Sequence, residues 1–180
     1  RGLGDAIRYA ESFCGDEPFS VHLGDTITHP PCMHELIEAF YRLRHSVVAV
    51  EEVHEESTKN YGIVKPSAIP LKGPDFAIED LVEKPAPENA PSNLAILGSY
   101  VFTPAIFDCI RETIPDKNGE IQLTDAMKIL NQRQGLYAHI YQGRRYDIGN
   151  KLDWLKSNIE LGLKDPEFGN DISEFIRRIL

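Results

Sequence analysis

Short runs that are apolar at nearly every position constrain the fold more than any other feature of this sequence. Residues 47–50 read Val-Val-Ala-Val, and residues 94–103 are mostly apolar around Gly98. A strand with one solvated face alternates apolar and polar residues, so an unbroken run predicts a strand covered on both faces. Between such runs, apolar residues recur at helical spacing, as at Ile106 and Ile110. The alternation predicts an α/β fold with a mostly parallel mixed sheet flanked by helices.

The length of the chain suits one substantial core. It has 180 residues, of which 42% are hydrophobic and 26% charged, which is ordinary for a globular protein and excludes wholesale disorder. No repeat with a period of about 20 to 50 residues recurs. We therefore expect one domain over residues 1–180, with residues 151–180 as a C-terminal helical extension.

Charge and cysteine content limit the binding partners and the cellular compartment that the sequence favours. The formal net charge of −9 disfavours general binding to nucleic acid or an anionic membrane. No apolar run approaches the roughly 20 residues of a membrane span, and the first residues lack a signal-peptide core. Three widely spaced cysteines without a CxxC pair favour free thiols in a reducing cytoplasm over a disulfide or metal site. The apolar face predicted for the terminal helix favours a homo-oligomer.

A carboxylate and an ammonium stand together where a buried strand is predicted to end. Leu81 and Val82 lead into Glu83, Lys84 and Pro85, and the proline forbids further ladder pairing. Because successive strand side chains point to opposite faces, we expect the two charges to need separate partners, which a polar ligand could supply. A solvated pair entering a loop is the simpler alternative.

Two aspartates also occur where strands are predicted to end. Asp25 follows Gly24, and Asp147 precedes Gly149 by two residues. Ligands of open α/β sheets bind beyond the carboxyl ends of the strands, and two carboxylates with open positions for water and phosphate suit Mg²⁺. An aspartate that caps a turn is the competing interpretation of Asp25.

Glycines and a glutamate complete the candidate set. Gly4 lies just before a helix predicted from Asp5 to Phe13, where it would let a flat or anionic group approach, although a turn glycine explains it more simply. Gly62 begins a predicted strand and either brings the backbone close to a ligand or marks a bulge. Glu120 lies in a polar stretch before another predicted helix.

These residue types suit phosphoryl transfer by positioning and electrostatics. A lysine offsets the charge that accumulates on phosphates in the transition state, and a glutamate accepts two hydrogen bonds from sugar hydroxyls. The set contains no activated serine or cysteine nucleophile, and an ionised phosphate needs no general base.

Several sequence blocks, in this order, resemble those of the bacterial and archaeal UTP-glucose-1-phosphate uridylyltransferases (UDP-glucose pyrophosphorylases). The resemblance covers nearly the whole chain. The blocks are Gly2-Leu3-Gly4-Asp5-Ala6, Leu23-Gly24-Asp25, Tyr61-Gly62-Ile63-Val64, Val82-Glu83-Lys84-Pro85, Ala90-Pro91-Ser92-Asn93-Leu94-Ala95, Gly119-Glu120-Ile121-Gln122-Leu123-Thr124-Asp125-Ala126 and Arg145-Tyr146-Asp147-Ile148-Gly149.

The resemblance implies a Rossmann-like nucleotidyltransferase fold, that of the nucleotide-diphospho-sugar transferases. It implies that UTP and glucose 1-phosphate give UDP-glucose and pyrophosphate. By similarity, Asp25 and Asp147 would hold Mg²⁺ and Lys84 would contact the phosphates, these three being the catalytic set. Glu83 and the Gly62 amide would contact glucose hydroxyls, and Gly4 would contact uracil. Glu120 would lie near the sugar, and Gly98 is a further implied substrate contact.

The sequence also departs from the family pattern. The N-terminal glycine-rich loop that cradles the triphosphate, the first strands and the base-reading glutamine are absent, so we expect a segment of a longer enzyme that binds UTP poorly alone. Thr26 stands where a second aspartate is frequent, and Asp5 where histidine is common. The alternatives are a related transferase that uses dTTP, or GTP with mannose 1-phosphate, and a non-catalytic nucleotide-sugar-binding paralogue.

Overall fold

The chain divides into two structural units. The computed structural model describes residues 1–68 and 73–180. The first unit contains residues 1–22 and 32–142, and the second contains residues 23–31 and 143–180. Residues 65–75 are rich in proline and glycine, which predicts a loop or hairpin tip, and part of this stretch lies outside the described residues. The expectation of a single domain with a helical extension stays a prediction.

The first unit combines a sheet with helices, and the second combines a two-stranded ribbon with two helices. The strands are β1 (Phe19–His22), β2 (Thr26–His29), β3 (Val47–Glu52), β4 (Gly62–Pro66), β5 (Asp75–Glu83), β6 (Leu94–Phe102), β7 (Tyr137–Ile140) and β8 (Arg144–Asp147). The helices are α1 (Leu3–Arg8), α2 (Glu11–Cys14), α3 (Met33–Leu43), α4 (Ala105–Glu112), α5 (Leu123–Gln134), α6 (Lys151–Lys164) and α7 (Gly169–Ile179). Short 3-10 turns span Glu55–Asn60 and Pro87–Asn89.

Six strands form the mixed sheet of the first unit, in the order β1-β6-β3-β7-β5-β4. The α/β class and the mixed sheet are confirmed. The expected predominance of parallel pairing is wrong for the described strands, because only β3 and β7 run parallel there. Continuous apolar runs report that both faces of a strand are covered, and this burial is compatible with either strand direction.

The centre of the sheet supplies the core. Residues 47–50 of β3 are fully buried, and β6 is buried at all nine positions. Leu36 and Phe40 of α3 pack on this sheet, and each such side chain contributes about 1.5–3 kcal/mol when fully buried. Helical spacing of apolar residues also predicts Ile37 and Ile114 as core residues, but they are 38% and 84% exposed. Ile114 lies beyond the end of α4.

Two other predictions from local pattern need correction. Glycine is unfavourable inside a strand, so the sequence predicts an interruption at Gly98, but residues 94–102 form one strand. Gly98 has φ 86° and lies in a bulge, because β3 pairs with Ile96 and Tyr100 of β6 but with no residue between them. The helix expected from Asp5 to Phe13 is two short helices, α1 and α2, separated at Tyr9 and Ala10.

The second unit joins β2 and β8 in an antiparallel ribbon followed by α6 and α7. Both C-terminal helices occur where apolar spacing predicts them. Several of their large apolar side chains are exposed, including Leu152, Leu155, Phe175 and Ile179. Across residues 1–68 and 73–180, no helix has the length and apolar content that crossing a bilayer requires.

Candidate functional site

The end of β5 places Glu83 and Lys84 side by side. Lys84 adopts φ 44°, in the left-handed region, while its N–H donates to the Tyr61 carbonyl at 3.0 Å. This turn breaks the alternation of a strand, so Lys84 Nζ lies 3.5 Å from Glu83 Oε1. The prediction that the two charges would not pair with each other is therefore wrong. The lysine side chain is 58% exposed, and an ion pair this exposed contributes only about 0–1 kcal/mol, so a ligand can displace it at little cost.

Glu83 is held from its other side by Thr124 at the start of α5. The buried Thr124 hydroxyl donates to Glu83 Oε2 at 2.6 Å. Gly62 pairs with Glu83 across β4 and β5, and a Cβ at Gly62 would lie 3.0 Å from Thr124 Oγ1 and 3.3 Å from Glu83 Oε2. A residue other than glycine would therefore crowd this hydrogen bond. Thr124 received no role from the sequence, although it lies in the polar stretch 119–125 that ends in α5.

Negative charge accumulates around Glu83. Partial burial raises the pKa of Asp125 above its ordinary value, and the charge of Glu83 makes a smaller contribution in the same direction. The charge of Lys128 opposes this rise. Lys128 also pairs with Asp80 at 3.0 Å. A carboxylate environment of this kind favours ligands that donate hydrogen bonds, such as sugar hydroxyls, close to Glu83.

The segment at Gly4 packs against the residues that follow Glu120. The Gly4 N–H donates to the Ile121 carbonyl and the Ile121 N–H to the Arg1 carbonyl, each at 2.9 Å. A Cβ at Gly4 would lie 2.8 Å from both Ile121 Cγ2 and Ile121 O. This contact requires glycine for a structural reason, and the proposed role of Gly4 against a base stays a prediction.

Glu120 is fixed by a loop built on Asp116. The Asp116 carboxylate accepts the backbone N–H groups of Glu120 at 3.0 Å and Asn118 at 2.8 Å, and Gln122 Nε2 donates to it at 3.0 Å. These hydrogen bonds, the one from Glu120 first, lower the pKa of Asp116. Gln122 Nε2 also donates to Glu120 Oε2 at 3.2 Å. The loop thus sets the direction of the Glu120 side chain.

The structure places the predicted site residues in both units. Asp25 and Asp147 belong to the second unit. The members in the first unit are Gly4, Gly62, Glu83, Lys84, Gly98 and Glu120. Gly98 is buried in the β6 bulge, and its predicted substrate contact stays a prediction.

Asp25 and Asp147 meet at Gly149. Thr26 pairs with Asp147 across the ribbon, and the Ile148 N–H donates to the Asp25 carbonyl at 2.8 Å. A Cβ at Gly149 would lie 3.1 Å from Asp25 Oδ2 and 3.3 Å from Asp147 Oδ1. The Gly149 N–H donates to Asp147 Oδ1 at 3.0 Å. Two carboxylates that are far apart in sequence therefore approach one point.

This pair fits a magnesium ion that keeps several other ligands. Mg²⁺ is usually held by one or two carboxylates, with water and phosphate oxygens in the remaining positions. Among the described residues, no group of three or more His, Cys, Asp or Glu side chains could form a fuller cage. Arg145 Nη1 lies 3.5 Å from Asp147 Oδ2 and offsets part of the pair's negative charge.

Comparison with known proteins gives consistent matches over this chain. A family described as nucleotidyl transferase matches residues 1–162. A UTP–glucose-1-phosphate uridylyltransferase of Staphylococcus epidermidis is 44% identical over 181 aligned positions, which cover 99% of this chain and 62% of that protein. The chain thus spans less than two thirds of the length of this curated relative.

Solved structures also match this chain in fold. A UDP-glucose pyrophosphorylase complexed with UDP-glucose superposes with a TM-score of 0.87 at 37% identity, covering 92% of this chain and 63% of that one. A UTP-bound enzyme of the same type from Acinetobacter baumannii gives a TM-score of 0.88 at 31% identity, covering 99% of this chain and 62% of that one. The resemblance inferred from the sequence blocks is confirmed.

Proposed function

The chain belongs to the nucleotidyl transferase family, and from that premise we propose that the whole protein transfers uridylyl from UTP to glucose 1-phosphate. The products are UDP-glucose and pyrophosphate. The observation that carries the proposal is the convergence of Asp25 and Asp147 at Gly149, because nucleotidyl transfer needs a cation on the phosphates and this pair suits one. The curated relatives and the solved structures with UTP and UDP-glucose support the choice of substrates.

The proposed reaction is an in-line displacement at phosphorus. A phosphate oxygen of glucose 1-phosphate forms a bond to the α-phosphorus of UTP, and the bond from that phosphorus to the oxygen leading to the β-phosphate breaks. The ammonium of Lys84 offsets charge on the phosphates, and no protein group needs to accept a proton. Glu83 accepts hydrogen bonds from glucose hydroxyls, the Gly62 amide donates one, and Thr124 keeps the Glu83 carboxylate oriented.

The remaining roles follow from position and similarity. Gly4 would pack against uracil, Glu120 would lie near the sugar, and Gly98 would contact the substrate. Asp25 and Asp147 would hold Mg²⁺, which supplies charge neutralisation to the phosphate oxygens when it is bound.

A substrate matrix tests the proposal. The whole protein is incubated with MgCl₂, with UTP, dTTP or GTP, and with glucose 1-phosphate or mannose 1-phosphate, and pyrophosphate release is followed by a coupled assay. We expect UTP with glucose 1-phosphate to react at least about tenfold faster than any other pair. Preference for dTTP, or for GTP with mannose 1-phosphate, would point to a related transferase. Tight UDP-glucose binding without pyrophosphate release would instead indicate a non-catalytic paralogue.

We further propose a cytoplasmic homo-oligomer. Cys14, Cys32 and Cys109 form no disulfide with one another, which suits a reducing compartment. Phe175 and Ile179 on α7 are more than half exposed, and a second copy of the chain would cover them. Light scattering of the whole protein tests the association, and a mass equal to one chain would contradict it.

A further inference from the structure

One buried tyrosine joins the ribbon to α6. Tyr146 of β8 is 3% exposed, and its hydroxyl donates to Glu160 Oε1 at 3.0 Å. Lys164 Nζ donates to the same hydroxyl at 3.2 Å and to Glu160 Oε1 at 2.9 Å. Arg144 Nη2 donates to Glu160 Oε2 at 3.1 Å. The hydrogen bonds from Lys164, Tyr146 and Arg144 lower the pKa of Glu160 to about 2, so its carboxylate accepts these bonds across the neutral range.

The ring of Tyr146 also lies next to two positively charged groups. The Arg144 guanidinium lies 5.5 Å and the Lys164 ammonium 5.9 Å from the ring centroid, within the range of cation–π attraction. Tyr146, Glu160 and Lys164, with Arg144, form what we call the Tyr146 clamp. The clamp matters because β2 and β8 are only four residues each, and an isolated two-stranded ribbon is marginally stable in water.

The clamp acts on the residue that follows it. Tyr146 pairs with Ile27, and the next pair across the ribbon is Asp147 with Thr26, directly after Asp25. Successive strand side chains point to opposite faces, so anchoring the Tyr146 side chain on α6 presents Asp147 on the other face. The position of Asp147 relative to Asp25 therefore depends on contacts that neither carboxylate makes itself.

We propose that Tyr146 is a positioning residue for the carboxylate pair, with Glu160 as the acceptor that fixes it. This inference rests on the proposed function, which assigns a divalent cation to Asp25 and Asp147. Loss of the Tyr146 hydroxyl frees β8 to shift, so the two carboxylates no longer meet at Gly149 and hold a cation less tightly.

Calorimetric titration of the whole protein with Mn²⁺ alone, as a probe, tests the inference. Tyr146→Phe keeps the ring but removes the hydroxyl, and we expect its dissociation constant for Mn²⁺ to rise about tenfold, as for other partners of metal ligands. Glu160→Ala should show the same loss. Glu160→Gln retains an oxygen that accepts the Tyr146 hydroxyl but loses the acceptor for Arg144, so its dissociation constant should rise less than that of Glu160→Ala.

Controls separate this inference from the metal assignment. Glu174→Gln removes an ion pair with Arg178 on α7 of the same unit and should leave Mn²⁺ affinity unchanged. Asp147→Asn should abolish binding. Binding that survives Asp147→Asn, or its absence from the unmodified chain, would overturn the metal site and the inference with it. Unmodified affinity in Tyr146→Phe, beside a loss in Asp147→Asn, would overturn the inference alone, as would equal losses in Glu160→Gln and Glu160→Ala.

Discussion

The surroundings of Glu83 and the carboxylate pair at Gly149 are supported in different ways. Glu83 ends a nine-residue strand of a six-stranded sheet, and a buried hydroxyl of α5 holds its carboxylate. Asp147 ends a four-residue strand of a two-stranded ribbon and depends on a few hydrogen bonds and the Tyr146 clamp. A strand of a larger sheet and a buried hydroxyl thus hold Glu83, whereas Asp147 depends on ion pairs between partly exposed side chains, which salt is expected to screen.

The largest loss of turnover is expected from a substitution that removes a charge from the ribbon. In the whole protein, Asp147→Asn should reduce turnover about 100- to 1000-fold, because a lost cation ligand removes several kcal/mol of transition-state stabilisation. Core volume does not change, so the thermal midpoint should hold. Steady-state kinetics and a melting curve measure both quantities, and turnover within a few-fold of the unmodified enzyme would contradict the metal assignment.

A somewhat smaller loss of turnover is expected when the Lys84 ammonium is removed from the site at Glu83. Lys84→Ala should depress turnover about 100-fold, by analogy with the loss of one preorganised electrostatic donor. Lys128→Ala is the matched control, since Lys128 is also a half-exposed, ion-paired lysine of the same unit. Equal kinetics in the two variants would mean that Lys84 is only a solvated surface charge.

Removal of the buried hydroxyl tests whether packing really orients Glu83. Thr124→Val keeps the shape and deletes the donor, so we expect a rise of about tenfold in the KM for glucose 1-phosphate and a stability loss of about 1–3 kcal/mol. Thr58→Val is the control, because Thr58 is equally buried and its hydroxyl donates to the Glu55 carbonyl. A similar stability loss with no change in KM is expected there. An unchanged KM in Thr124→Val would remove Thr124 from the site.

A smaller perturbation probes the crowding at the ribbon. Gly149→Ala would place a methyl group 3.1 Å from Asp25 Oδ2. This methyl group should push the carboxylates apart and raise the half-saturating Mg²⁺ concentration about threefold to fivefold, less than the loss of a partner of a metal ligand does. Gly24→Ala adds the same methyl group where nothing lies within 4 Å. A magnesium titration of turnover distinguishes them, and identical curves would show that the pair tolerates displacement.

Sequence pattern predicted elements whose signals are local. The unbroken apolar run at residues 47–50 predicted the fully buried part of β3, and the aspartates near Gly24 and Gly149 indicated the two that converge. Strand direction could not be read in the same way, because β6 is buried throughout although its partners run antiparallel.

The features that the sequence did not reveal depend on distant partners. Thr124 bonds a glutamate 41 residues away, and no spacing rule signals that contact. The left-handed turn at Lys84 is equally hidden, because a lysine has no local preference for positive φ and only its surroundings impose it. The charge pairing of Glu83 and Lys84 followed from that turn.

At position 84, the backbone conformation favours glycine for stability, whereas the proposed chemistry requires lysine. A residue with a Cβ at φ 44° carries about 1–2 kcal/mol of strain that glycine would not. Directed evolution that selects only for heat resistance would therefore favour Lys84→Gly, and the more stable protein would lose the phosphate contact that we propose for Lys84. Libraries made for thermostability should keep this codon fixed, because melting temperature and turnover are expected to move in opposite directions there.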